Sequence, residues 1–284
     1  MRFWPALAAV LLVAPAAPAL ADRDPQSGAP LPPHKARTSS PITDRFYISG
    51  AFYAPAVRTN LRLDPGNAAP GVTGTPLDAE RDLGLPSRLD QGVVEFMFRM
   101  RERNKLRVDY FEADRSANHL LANTVVFGNQ TFLAGQMAQS SIQWRMFALT
   151  YTYSFYRSDR LEIGTGLGVY FIQAQVSAAV LAESESQSES AADPIPTLPL
   201  DFTWCISSHF AFTAHANYVE ARIDQARGSF TDLHSELQYR WNPNFSIGAG
   251  WSEMRIALER DIGSIPGAVA MRFSGPQAVL RFSF

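Results

Sequence analysis

From Arg45 to Phe284, short runs of alternating apolar and polar residues follow one another. No stretch holds the roughly 20 consecutive apolar residues that a membrane-crossing helix needs. A period of two sends successive side chains to opposite faces of a strand. This chain therefore buries its apolar surface through strands, one face at a time. Turn signals delimit ten such runs: Arg45 to Ala54, Gln91 to Arg101, Lys105 to Arg115, Ser141 to Tyr156, Leu161 to Ala174, Pro194 to Ile206, His209 to Arg222, Ser229 to Trp241, Phe245 to Leu258 and Val269 to Phe284. The last slips phase at Gly275-Pro276, which reads as a bulge.

The two faces of these runs differ in kind. Val94, Phe96, Phe98 and Met100 oppose Glu95, Met97, Arg99 and Arg101 in the second run. Phe147, Leu149, Tyr151, Tyr153 and Phe155 oppose Ala148, Thr150, Thr152 and Ser154 in the fourth. The more polar parities hold Glu95, Arg99, Arg107, Asp109, Glu162, Asp201, Glu236, Arg240 and Arg281, with Gly164, Gly166, Gly168, Gly248 and Gly250 among them. The apolar parities are long and end in aromatics such as Trp204, Tyr239, Trp241 and Trp251. An apolar exterior with aromatic girdles around a polar interior describes a transmembrane barrel. The mixed charges predict a lumen plugged by salt bridges, and the glycines leave room for a narrow gap.

Connection lengths supply the topology. Glu102 to Asn104, Arg157 to Arg160, Ser207-Ser208 and Asn242 to Asn244 are short. They alternate with Pro55 to Asp90, Ser116 to Ser140, Glu183 to Asp193, Gln225 to Gly228 and Glu259 to Gly267, of which all but the fourth are longer. Short turns on one side and longer loops on the other predict an all-β, antiparallel up-and-down transmembrane barrel of about ten strands, with eight or twelve as the alternatives. An aqueous channel belongs to barrels of about 16 strands or more, so a porin is not expected. A lipocalin-like barrel or a periplasmic sandwich is the soluble alternative.

Composition agrees. Mean hydropathy is -0.10, aromatics make up 12% and charged residues only 18%, which suits a wall half apolar and half polar. A net charge of -2 offers nothing to nucleic acid. Met1-Arg2, the apolar Leu7 to Val13 and Ala19-Leu20-Ala21 have the order of a cleaved signal peptide over residues 1–21. Residues 22–44, rich in Pro, Ser and charge, read as a disordered periplasmic linker before a barrel over 45–284. The single Cys205 reads as a small buried side chain.

The chain ends Ala278-Val279-Leu280-Arg281-Phe282-Ser283-Phe284. Alternating apolar residues before a terminal aromatic resemble the C-terminal signal of Gram-negative outer-membrane β-barrel proteins. By strand pattern the resemblance covers Arg45 to Phe284. It implies residence in the outer membrane, contact with its lipid and lipopolysaccharide, and recognition of Phe284 by the barrel-assembly machinery. Asp82-Leu83-Gly84-Leu85 in the first long connection looks like a recurrent barrel motif without attached chemistry.

Candidate chemistry is sparse. Asp232 and His234 share the inward parity of the eighth run, and a carboxylate that orients a histidine can support general-base chemistry. This resembles half of the site of omptin proteases, ten-stranded barrels with Asp/Asp and Asp/His pairs. The partner pair would have to be Glu112 and Asp114, which are Glu/Asp and lie on the lipid-facing parity. Outer-membrane lipid A deacylases use Ser, His and an acid. His234-Ser235-Glu236 cannot supply these, because neighbours in a strand point apart. His215 points inward on the seventh run, with no serine placed beside it by sequence. His34, His119 and His209 show no metal-ligand spacing, and no cofactor motif is present. Glu183 to Ser190 reads as a solvated loop tip, and Val125 to Leu133 as a hairpin about Gly128-Asn129 that extends the wall. The leading expectation is a barrel of structural or interaction type. The alternatives are an outer-membrane hydrolase, either omptin-like or lipid A-modifying, and a narrow conduit for small or hydrophobic molecules.

Overall fold

The computed structural model describes residues 40–65, 74–127, 130–180, 186–223, 226–260 and 267–284. The expected signal peptide, the linker as far as residue 39 and the Gly128-Asn129 turn lie outside them. The strands are β1 (Phe46–Tyr53), β2 (Ala56–Leu63), β3 (Leu77–Asp78), β4 (Gln91–Arg101), β5 (Asn104–Leu120), β6 (Val125–Phe127), β7 (Gln130–Phe132), β8 (Met137–Arg157), β9 (Leu161–Val180), β10 (Ser186–Cys205), β11 (Phe210–Ile223), β12 (Ala226–Asn242), β13 (Phe245–Arg260) and β14 (Gly267–Ser283). One helical turn, α1 (Ala79–Asp82), follows β3.

Twelve strands form one antiparallel sheet that closes where β1 pairs with β14. β1 and β2 run along β14 in a single register, from Tyr47 opposite Ser283 to Leu63 opposite Gly267. They therefore count as one wall strand, and the short β3 lies beside β2, so the wall has ten strands. The break falls at Ala54-Pro55, where Ala54 N–H still donates to the Pro276 carbonyl at 3.1 Å. The expected bulge at Gly275-Pro276 is absent, because β13 and β14 pair without a shift from Phe245 to Arg260. Gly275 is there for a different reason: a Cβ on it would stand 2.3 Å from the Ala54 carbonyl oxygen.

All ten predicted runs are strands with the predicted faces. Several continue further than expected at the long-loop end. Ser186 to Asp193 belongs to β10 rather than to a loop, and pairs with β9. The lipid-facing parities line up across the register. Tyr110 lies opposite Phe147, Phe147 opposite Phe171, and Trp251 opposite Pro276. This row is the upper aromatic belt. Phe46, Phe98, Tyr153, Trp204, Phe210, Tyr239, Trp241, Phe282 and Phe284 surround the end with the short turns as the lower one. Between the belts, outward Leu167, Leu198, Leu200, Leu237 and Leu280 are exposed. On β8 the belts stand at Phe147 and Tyr153, and on β14 and the residue after it at Pro276 and Phe284, a somewhat shorter interval than the roughly 9–11 residues of a full tilted span.

Above the upper belt the outward residues turn polar: Glu112, Arg145, Gln173, Glu220, Thr231, Glu253 and Ser274. The interior changes in the opposite sense. Between the belts it is charged. Above them it is a packed apolar core with Tyr53, Val57, Phe111, Trp144, Met146, Tyr170, Ile172, Phe230, Met254, Met271 and Phe273. The expectation of a lumen filled by salt bridges thus holds for the membrane half only. Where water replaces lipid outside the wall, the apolar side chains have to turn inward. Two of the lumen-facing glycines have a use within the wall itself. A Cβ on Gly166 or Gly250 would stand 2.0 or 1.9 Å from the carbonyl oxygens of Tyr151 and Ser235, so these glycines serve close strand approach.

The first long connection contains most of what the sequence reading missed. Above β4, β2 and β5 are not paired with each other, and residues 74–90 fill the interval. Val57 N–H donates to Ser87 O at 2.8 Å, and Leu89 N–H to Pro55 O at 3.1 Å. From β5, Arg115 donates to Glu80 of α1, to Thr59 Oγ1 of β2 at 2.5 Å and to Pro86 O at 3.3 Å. Glu80 also accepts from Thr59 N–H at 2.8 Å. Leu83 and Leu85 are buried in the apolar core. Gly84 between them has φ +67°, and its ideal Cβ position is 2.8 Å from His119 Nδ1. The Asp82-Leu83-Gly84-Leu85 run is thus an inward tuck. Outside the bilayer, the Arg81 guanidinium beside Asp82 holds its carboxyl below the usual range. The β6–β7 hairpin does not extend the wall either. It forms its own small sheet, and Val125 and Phe132 pack into the core beside Leu121.

In the membrane half, Arg99 donates to both oxygens of Glu162, at 2.7 and 3.0 Å, and Ser154 Oγ adds a bond at 2.5 Å. Arg107 and Lys105 approach Asp201 at 3.0 and 3.1 Å, and Arg281 reaches Glu236 at 2.9 Å. Ser40 to Asp44, grouped with the linker by composition, fold into the end with the short turns. Arg240 donates twice to Asp44, at 3.1 and 2.5 Å, while Ile42 packs with Cys205 and Ala211.

Two outcomes follow. Arg99→Met strips the buried Glu162 carboxylate of its bidentate guanidinium, leaving Ser154 and Lys105, the latter at 3.9 Å, and should cost about 3 kcal/mol, whereas Arg99→Met with Glu162→Gln should cost much less. The urea midpoint for loss of the heat-modifiable gel band, in a double-mutant cycle, measures both. Gly84→Ala forces a Cβ into left-handed backbone against His119 and should cost about 1–2 kcal/mol, read as a lower temperature of band conversion.

Candidate functional site

β12 points Asp232 and His234 into the lumen, as their parity predicted, and β13 brings Ser252 directly opposite His234. His234 Nε2 lies 2.9 Å from Asp232 Oδ1, and His234 Nδ1 lies 3.0 Å from Ser252 Oγ. A carboxylate only accepts, so Nε2 carries the proton toward Asp232. In the neutral imidazole Nδ1 is then the acceptor for the Ser252 hydroxyl. An acid, a histidine and a serine thus stand in hydrogen-bonded series. Tyr170 O–H donates to the second Asp232 oxygen at 2.8 Å. His215, opposite His234 on β11, stacks on its ring at 4.6 Å between centroids and lies 3.8 Å from Glu95. Tyr47, on β1 next to β4, donates to Glu95 as well.

The series is enclosed. Ser252 and Asp232 are 2% and 3% exposed, and the void beside them is about 50 Å³. Tyr53, Phe111, Met146 and Met254 line the same void, and Tyr53 O–H donates to Ser252 O at 3.2 Å. Glu112 and Asp114, the only partner pair the sequence offered for a protease, project outward. Glu112 accepts from Tyr110 at 2.7 Å and from Arg145 at 2.9 Å on the outer surface. Ser235 also faces outward, and Glu236 belongs to the ion pair with Arg281. His119 sits against Gly84, and His209 is bonded to Ser208 at 2.9 Å. Among the described residues no group of His, Cys, Asp and Glu is arranged to hold a metal ion.

Sequence reasoning missed Ser252 as a partner, although its inward parity was visible. It faces His234 only through the β12–β13 register, which alternation does not determine.

A further space lies at the long-loop end. A vestibule of about 890 Å³ opens between β2, β3, α1 and the upper ends of β11 to β14. Arg62, Arg81, Arg222 and Arg227 line it together with Asp78, Glu220 and Glu259. Arg222 and Arg227 lie directly opposite each other across β11 and β12. Like charges so placed repel, which leaves them available to an acidic group.

No family model matches the chain, and no curated protein matches its sequence. Among solved structures it is similar to the outer membrane protease OmpT from Escherichia coli, at 9% identity over 84% of this chain and 97% of that one, with a TM-score of 0.47. It is also similar to Ail, the attachment invasion locus protein of Yersinia pestis, at 7% identity over 84% and 99%, TM-score 0.34. The Pseudomonas putida toluene transporter TodX matches at 8% identity over 87% and 90%, TM-score 0.31. The placement of this chain's own side chains carries the assignment: apolar and aromatic toward lipid, charged within, in an even-stranded closed wall. The chain is a closed ten-stranded β-barrel of the outer-membrane type.

Proposed function

We propose that this protein is a sealed outer-membrane barrel of interaction type, whose working surface is the long-loop end. The observation that carries this reading is the filling of the lumen at successive levels. Ser40 to Asp44 occupy the end with the short turns, ion pairs fill the membrane half and an apolar core fills the part above. A conduit needs a continuous path, and this filling argues against one. What the chain builds above the membrane is a head with a polar exterior, its own core and an arginine-rich vestibule.

Reconstitution into planar bilayers tests it. The expected record is a flat baseline without reproducible conductance steps, alongside a heat-modifiable band that proves folding. Regular steps of one size would replace this reading by the conduit.

The series Asp232, His234 and Ser252 supports a second reading, a serine hydrolase acting on an ester or amide that enters from above the belt. An enclosed Ser252 argues that the series is structural, a satisfied polar network that orders the lumen. A fluorophosphonate probe on the folded barrel separates the two. The interaction reading expects no labelling, and labelling lost in Ser252→Ala would establish the hydrolase.

A further inference from the structure

The register of β2, β14 and β13 sets three arginines in a row on the outside of the wall. Arg58 lies opposite Arg272, and Arg272 opposite Arg255. All three are exposed on the lipid-facing parity. Adjacent strands are about 4.8 Å apart, so the three stems rise within about 10 Å of one another. Like charges directly opposite are destabilising unless an anion joins them. One carboxylate does so from the protein: Glu253 accepts from Arg255 and, at 3.1 Å, from Arg272, and Ser274 Oγ stands 3.4 Å from it. Among the described residues Arg58 has no ion pair, so three cations share one carboxylate.

The height of the row determines what can reach it. Trp251 and Pro276 belong to the upper aromatic belt, and Trp251 Nε1 donates to Ser274 Oγ at 3.2 Å. The arginines lie four positions above on both strands. Along a strand tilted by about 45° that is roughly 9 Å, which sets the guanidinium stems at the outer face of a headgroup layer about 5–8 Å deep. Elsewhere on the wall near this level, Arg145 is matched by Glu112 one to one. The β5–β8 face thus carries no such excess, whereas the β2–β14–β13 face does.

We propose that Arg58, Arg255 and Arg272 form a binding site for the phosphate of a phosphorylated lipid in the outer leaflet. The planar guanidinium fork suits a phosphate, which can accept paired bonds from two arginines at once. Glu253 holds Arg255 and Arg272 side by side, and Arg58 supplies the uncompensated charge. The site rests on the barrel's placement in the bilayer and is independent of whether the lumen conducts.

Native mass spectrometry of the full barrel in dodecyl maltoside, titrated with bisphosphorylated lipid A, tests it. The variant Arg58→Gln, Arg255→Gln, Arg272→Gln should bind at least about tenfold more weakly, as expected for loss of charge-assisted contacts. Arg145→Gln, on another face, should bind like the parent. Removing mutual repulsion leaves the fold intact, and a preserved heat-modifiable band checks that. Inorganic phosphate at millimolar concentration should not displace the lipid. Equal lipid binding by the triple variant overturns the proposal, and so does displacement by free phosphate, which would make this a site for a soluble anion.

Discussion

Inside a bilayer no water is available to a peptide N–H or C=O, so every wall strand must find a hydrogen-bonding neighbour on both sides. The seam between β1 and β14 meets that requirement. Phe46 and Phe284 exchange backbone bonds at 3.1 and 2.8 Å, and their rings stack at 5.6 Å. From there the ladder runs unshifted to Leu63 opposite Gly267. Closure removes the free edges that an open sheet of this length would expose. The alternation of faces, the belts and the enclosed interior all presuppose it.

Closure creates an interior, and the environment of the wall then decides how that interior is filled. In the membrane half the outward parity is committed to lipid, so the charges collect inside. There they are tolerable only as pairs: Arg99 with Glu162, Arg240 with Asp44, Arg281 with Glu236. Above the belt the solvent takes the polar parity outward, and Phe111, Trp144 and Phe273 form a core of the ordinary kind. The strands do not change register to achieve this. In β8 the inward residues pass from Ser154, Thr152 and Thr150 to Met146, Trp144 and Ile142, while the outward ones pass from Phe155, Tyr153 and Tyr151 to Arg145, Gln143 and Gln139.

The strands and their faces were legible because period-two alternation is a local signal. The same signal was present in Val57, Leu61 and Leu63 against Arg58, Asn60 and Arg62. Pro55 and Asp64-Pro65 punctuated it, and the whole connection read as a loop. The upper strand ends were read short because both faces change character there, which looks like loss of pattern when the pattern has only inverted. Ser186 to Asp193 misled for a compositional reason, since serine and glutamate weigh toward loop even where a neighbouring strand supplies a complete ladder. For the site, Asp232, His234 and His215 could be placed inward from parity, and Glu112 and Asp114 outward. Cross-strand neighbours such as His234 and Ser252 depend on turn geometry several residues away, and no local pattern records them.

The interval between β2 and β5 is closed by residues 74–90, which meet β2 through peptide groups and side chains and meet β5 through the Arg115 guanidinium. Arg115 alone gathers Glu80, Thr59 and Pro86 across it. A ladder of peptide bonds shares an applied tension among many equivalent links, whereas among the described residues the hydrogen bonds from β5 into this span come from that guanidinium. Mechanically the wall is more compliant here than along its ladders. A pull on the first long connection will deform the wall there before it opens a ladder.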